Sequence, residues 1–174
     1  MTTKLVISAL GPDRPGIVDE LSNIIYRNSL NIEDSRMTVL GGEFAILLLV
    51  SGEAEAIDAL QTQIHDIEQV LQMRLLVKVT TDSRPVENAI PYAVEVTSLY
   101  HPGIVNNIAS FFSGRNINIV NLHTESYSAP HTGTPMFALH MTIGISTDTD
   151  IAQLRDAFMR VCDELNLDAE LNNI

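Results

Sequence analysis

The tetrapeptide Pro-Gly-Ile-Val occurs twice in this chain, at Pro15–Val18 and again at Pro102–Val105, 87 positions apart (102 minus 15). The correspondence continues at the same offset, with Leu30–Arg36 (LNIEDSR) lying over Ile117–His123 (INIVNLH). A period this long is well above the roughly 20–50 residues of stacked solenoid repeats, which leaves two self-sufficient small domains as the architecture. The first is expected over residues 1–80 and the second over 92–174. Residues 81–91 (TDSRPVENAIP), polar and with prolines at 85 and 91, read as a linker that those prolines stiffen. With 45% hydrophobic and 18% charged residues, the chain has the balance of a folded polypeptide able to build cores.

Each copy reads as the same string of elements. In the first, Lys4–Leu10 is a short apolar strand, and Ile17, Val18, Leu21, Ile24 and Ile25 follow helical spacing after the Pro-Gly break. Asn31–Leu40 is a half-exposed strand, Gly41-Gly42 a tight turn, and Phe44–Val50 a continuous β-rich run. Ile57, Leu60, Ile64, Ile67 and Leu71 mark one face of a second helix, and Leu75–Val79 returns as a strand. The second copy repeats this with Val94–Leu99, a helix from Ile104 ending near Gly114, Ile119–Glu125, Phe137–Ile143, a helix over Ile151–Leu165, and a last strand over Asp168–Leu171. The expected class is therefore α+β: two ferredoxin-like βαββαβ domains in tandem, each with helices on one face of an antiparallel sheet. The uncovered face and edges of such sheets favour association, between units or between chains, so a homo-oligomer is expected.

Pro15 and Pro102 suit the opening of a helix, because proline fixes φ and lacks the N–H that a first turn leaves unpaired. Gly16 and Gly103 expose the backbone donors there, and a helix N-terminus of partial positive charge accepts a carboxylate. A plainer reading has Asp13 or a neighbour capping the helix in a turn that only connects elements. The binding reading gains from Asn31 and Asn118, which recur at one distance after the turn, each followed three positions on by a polar residue, Asp34 and Asn121. A carboxylate at the helix end and an ammonium at these side chains together describe an amino acid.

These residues resemble the ACT domain, a small-molecule sensing module of amino-acid metabolism. GPDRPGIV and LNIEDSRM carry the resemblance over about residues 3–80, and SLYHPGIV and INIVNLHTES carry it again over about 92–172. A chain made of two such units is similar to the regulators of glycine cleavage genes within that family. The resemblance implies a ligand site at Asp13, Arg14, Pro15, Gly16 and Ile17 with Asn31 in the first unit. In the second it implies His101, Pro102, Gly103 and Ile104 with Asn118. It further implies a small amino acid, glycine or serine, as ligand, and transcriptional repression through contact with an activator protein. The alternative is a regulatory subunit of an amino-acid metabolic enzyme. The copies differ: Tyr100-His101 stands where Asp13-Arg14 stands, and the second hairpin is longer by 6 residues (137 minus 44, less 87), the insertion falling in Ser126–Pro135. The two units therefore need not bind the same thing.

Ten Lys and Arg against 22 Asp and Glu give a formal charge of −12, which repels phosphate backbones and anionic lipid, and the cations are scattered singly along the sequence. No direct nucleic-acid or membrane partner is expected. Cys162 is the lone cysteine, so no disulfide framework or thiolate-rich zinc site is available, and no leader or membrane-spanning run is visible; a cytoplasmic protein is expected. Phosphate-loop, nucleophile-elbow and paired-cysteine motifs are missing, so neither an enzyme nor a cofactor is expected. Four of the five histidines lie in the second unit, and His123 and His140 with Glu125 have ligand chemistry. Their sequence spacing matches no metal motif, and no metal is expected.

Overall fold

The computed structural model describes residues 2–81 and 89–174, and these divide into two compact units, one on each side of the intervening segment in sequence. The first unit runs β1 (Thr2–Pro12), α1 (Ile17–Arg27), β2 (Asn31–Leu40), β3 (Glu43–Glu53), α2 (Ala54–Thr62), α3 (Ile64–Leu71) and β4 (Arg74–Thr80). The second runs β5 (Ala89–Leu99), α4 (Ile104–Ser113), β6 (Asn118–Ser128), β7 (Pro135–Ser146), α5 (Ile151–Glu164) and β8 (Asp168–Asn173). Each unit holds one four-stranded antiparallel sheet, ordered β2-β3-β1-β4 and β6-β7-β5-β8, which is the α+β arrangement the repeat predicts.

Alternation along the central strands decides which face is covered. Leu5, Ile7 and Ala9 of β1 and Phe44, Ile46, Leu48 and Val50 of β3 are buried, in one cluster with Ile17, Leu21 and Ile25 of α1 and Ile57, Leu60, Ile67 and Leu71 of α2 and α3. Val6, Ser8 and Leu47 lie between them on the other, open face. In the second unit Val94, Val96, Leu139, Met141 and Ile143 play the inward part. Here three phenylalanines anchor the core: Phe111, Phe112 and Phe158 hold their ring centroids 5.1–5.3 Å apart. The edge strand β2 is exposed along all ten residues.

Two local features depart from the sequence reading and a third refines it. The single helix expected over Ile57–Leu71 is two, broken at Gln63. The Thr62 hydroxyl and the Gln63 side-chain amide both donate to the Ala59 carbonyl, and the Gln63 N–H donates to Leu60 instead. Side chains thus take the acceptor that helix continuation needs, while the apolar stripe survives across the break. In the expected linker, Pro91 lies inside β5, which begins at Ala89; residues 82–88, including Pro85, lie outside the described residues. Finally, α4 does end beside Gly114, but the left-handed residue that closes it is Asn116, at φ 57°. Ser29, Gln72 and Asn166 close α1, α3 and α5 in the same way. In all four cases the N–H of the following apolar residue (Leu30, Met73, Ile117, Leu167) reaches back five residues to a helix carbonyl.

Candidate ligand site at the Pro-Gly turns

The peptide between β1 and α1 is a β-turn with Pro15 and Gly16 at its centre. Gly16 sits at φ 87°, ψ −6°, and the Ile17 N–H returns to the Arg14 carbonyl at 3.4 Å. Proline sets the first central position and glycine takes the positive φ that the second requires. Pro15 and Pro102 therefore precede the helices instead of opening them; α1 and α4 begin at Ile17 and Ile104, with Gly16 and Gly103 as N-caps. Gly103 repeats the geometry at φ 93°, ψ −5°. A Cβ at Gly16 would meet only Glu20 Oε1, at 3.8 Å, and one at Gly103 only Asn107 Nδ2, at 3.8 Å, so both turns are sterically open.

Neither α1 nor α4 receives a side-chain cap, whereas Asp150 accepts from the Gln153 N–H at the start of α5. Asp13 is not the cap of α1: its own N–H goes to the Gly42 carbonyl and ties the turn to the β2–β3 hairpin. The Ile17 N–H is used by the turn itself, and the donors that follow it, Val18 and Asp19 in α1 and the first-turn donors of α4, are left without a side-chain cap, open to solvent or a ligand. Arg14 makes two parallel hydrogen bonds to Glu20, each 2.7 Å, and this contact holds the Glu20 carboxyl below its ordinary value of 4.5. The positions equivalent to Arg14 and Glu20 in the second unit are His101 and Asn107, so that turn carries no carboxylate; the His101 Nδ1 lies 3.1 Å from the Pro102 carbonyl. The second turn is the more receptive to an anion on electrostatic grounds.

The asparagines do not join the turns within a unit. Asn31 pairs across β3 with Ser51, which pairs in turn with Lys4, eight residues before the end of β1. At about 3.3 Å per residue, Asn31 stands roughly 26 Å from the start of its own turn. Asn118, paired through Gly144 to Pro91, stands at the same remove from Leu99. A β-bulge at Glu33, repeated at Val120, resets the register so that Asp34 and Asn121 align with Leu49 and Thr142 on the open face. Asp34 is already engaged by the Arg36 guanidinium and by the Ser35 N–H, which together lower its pKa. No feature of the sequence announces these bulges or the Arg14–Glu20 pairing.

Beside the entry to the first turn lies a hollow of about 480 Å³ lined by Leu10, Gly11, Glu43, Glu68, Met73 and Arg74. Gly11 lets β1 pass close to the end of α3 at the hollow's edge, since a Cβ there would come within 2.8 Å of Met73 Cγ and 3.0 Å of the Gln72 carbonyl oxygen. Asn118 borders a second hollow, of about 340 Å³, with Ser113, Asn116 and Ile119. Cys162 is fully buried, and burial followed by the neighbouring Asp163 charge pushes its thiol up to about 11, which removes it as a nucleophile. Among the described residues no helix is long and apolar enough to cross a membrane.

Comparison with known proteins adds a family. The ACT domain pattern matches residues 3–80. The glycine cleavage system transcriptional repressor of Escherichia coli K12 is 31% identical over 170 residues, covering 97% of this chain and 88% of the relative; that of Shigella flexneri matches to the same extent. The solved structure of an unknown protein from Galdieria sulphuraria is 28% identical and superimposes with a TM-score of 0.82, covering 100% of this chain and 99% of the other.

Proposed function

This chain belongs to the ACT domain family, and from that membership we propose that it senses a small amino acid, glycine foremost, and represses glycine cleavage genes by contacting a transcriptional activator. It is a regulator and not an enzyme, in keeping with relatives named as repressors. The observation that carries the proposal is the paired Pro-Gly turn: two uncapped helix N-termini, each behind a sterically open glycine at positive φ. The backbone donors after Gly16 and Gly103 take the ligand carboxylate, flanked by Asp13, Arg14 and Pro15 or by His101 and Pro102, while the side chains of Ile17 and Ile104 are buried in the cores beneath. The open glycines let a ligand carboxylate come against the backbone, and the preference for an amino acid with little or no side chain rests on the relatives named for glycine cleavage.

Asn31, Asp34, Asn118 and Asn121 stand far from the turns of their own sheets, so they serve the ammonium end only at an interface between units, as a homo-oligomer provides. Signalling then follows from differential affinity: the amino acid favours the assembly in which its two ends are both satisfied, and the activator reads that assembly. The setting is the cytoplasm, without direct contact to nucleic acid or membrane. Calorimetric titration with glycine, serine and larger amino acids tests the sensor, with saturable binding confined to the small ones expected. Capture from cell extract with and without glycine tests the partner. Recovery of a DNA-binding activator supports the reading, and recovery of a metabolic enzyme in its place overturns the transcriptional part.

A further inference from the structure

The register of the second sheet sets four side chains in one row across its open face: His123 of β6 opposite His140 of β7, His140 opposite Glu95 of β5, and Glu95 opposite Glu170 of β8. All four are exposed. The two imidazole rings stack with centroids 6.2 Å apart and an interplanar angle of 23°, and His140 Nδ1 lies 3.8 Å from Glu95 Oε1. Glu125, two residues beyond His123 on β6, is opposite Ala138 and shares the face. The equivalent row in the first sheet is Arg36, Leu47, Ser8 and Leu76, which has no ligand chemistry, so the feature belongs to the second unit alone.

We propose that His123 and His140 form a two-imidazole binding site for a borderline divalent cation of the zinc, nickel or copper class, in a role separate from amino-acid sensing. Imidazole nitrogen suits these metals, and directly opposed cross-strand residues are the closest side-chain neighbours a sheet offers. Two nitrogens on one ion at about 2.0–2.1 Å each must approach to roughly 3.3 Å, which rotation of two exposed side chains accomplishes without moving backbone. Glu95 is a positioning residue. From 3.8 Å the carboxylate can close to a hydrogen bond with Nδ1–H by side-chain rotation, which selects the tautomer that leaves Nε2 free to ligate, and its charge, with those of Glu170 and Glu125, favours a cation above the face. Among the described residues no group of three or more His, Cys, Asp or Glu converges on one metal position, so the two histidines are the protein ligands and water fills the remaining positions.

The test is titration of the untagged full chain with Zn²⁺, Ni²⁺ and Cu²⁺ in a non-coordinating buffer, alongside His123→Asn, His140→Asn and the double variant. One site per chain is expected, at least tenfold weaker in each single variant and absent in the double. Mg²⁺ and Ca²⁺, which prefer oxygen ligands, should give no heat. In a ¹H–¹⁵N spectrum, substoichiometric Cu²⁺ should broaden the ring resonances of His123 and His140 first, and Glu95→Gln should weaken binding severalfold while the stoichiometry stays at one. Both histidines are exposed, and unchanged melting curves confirm that the variants fold. Metal binding that survives in the double variant, or no saturable binding by the parent chain, overturns the assignment.

Discussion

Gly16 can be tested by replacing it with alanine and, separately, with asparagine. At φ 87° the residue lies about 30° beyond the left-handed minimum near 57°, whereas Ser29, Gln72, Asn116 and Asn166 sit close to that minimum at 55–58°. A Cβ at Gly16 has no neighbour nearer than 3.8 Å, so the cost of alanine is conformational and not steric. An L-residue forced left-handed loses about 1–2 kcal/mol. In a unit of this size each kcal/mol lowers the melting temperature by about 4–8 °C. Gly16→Ala should therefore melt at least about 4 °C lower in the first unit, and Gly16→Asn, whose side chain tolerates this region, should recover much of the difference. Denaturant titration supplies the free energies and calorimetry with glycine supplies the affinity for each variant. Gly16→Ala as stable as the parent would refute the backbone argument. An asparagine variant that folds and binds glycine at the first site with undiminished affinity would refute the claim that ligand approaches this backbone.

Phe158→Ala removes one ring of the Phe111–Phe112–Phe158 cluster and should cost about 3–5 kcal/mol, seen in calorimetry as a melting transition lost or lowered for the second unit while the first unit's transition keeps its temperature. Gly52→Ala places a Cβ 2.3 Å from Leu30 Cδ2 and should destabilise the first unit by overpacking, about 1–3 kcal/mol by denaturant titration. Glu20 has a folded pKa held below 4.5 by Arg14, so the pair's contribution is complete above that value and vanishes as the pH falls through the lowered one. The stability gap between the parent and Glu20→Gln should accordingly close in acid, and a gap that is flat from neutral pH into strong acid would contradict the pairing. Cys162 should react with a thiol reagent at pH 8 only on unfolding, and rapid stoichiometric labelling of the native chain would contradict its burial.

The order of elements and the apolar stripes were legible in the sequence because each depends on spacing within a dozen residues: periods of two and 3.6, glycine where φ turns positive, proline before it; the repeat was legible because two such stretches spell the same residues 87 positions apart. The strand, turn and helix around Gly16 and Gly103 follow from that local grammar. What lay beyond it depends on which residues of distant segments come opposite one another. Lys4, Arg36, Arg74 and Lys78, scattered singly along the chain, all align on the open face of the first sheet once β1, β2 and β4 are paired. Arg14 finds Glu20 and not Asp13, because the turn aims its side chain along the first turn of α1. Asn31 recurs at a fixed distance after the turn, yet the antiparallel return of the chain carries it to the far end of the sheet. His123 and His140, 17 residues apart (140 minus 123), become nearest neighbours through a register set by one bulge and one hairpin. Local periodicity fixes an element and the face it buries; hydrogen-bond register between strands, which no single segment encodes, fixes which side chains meet.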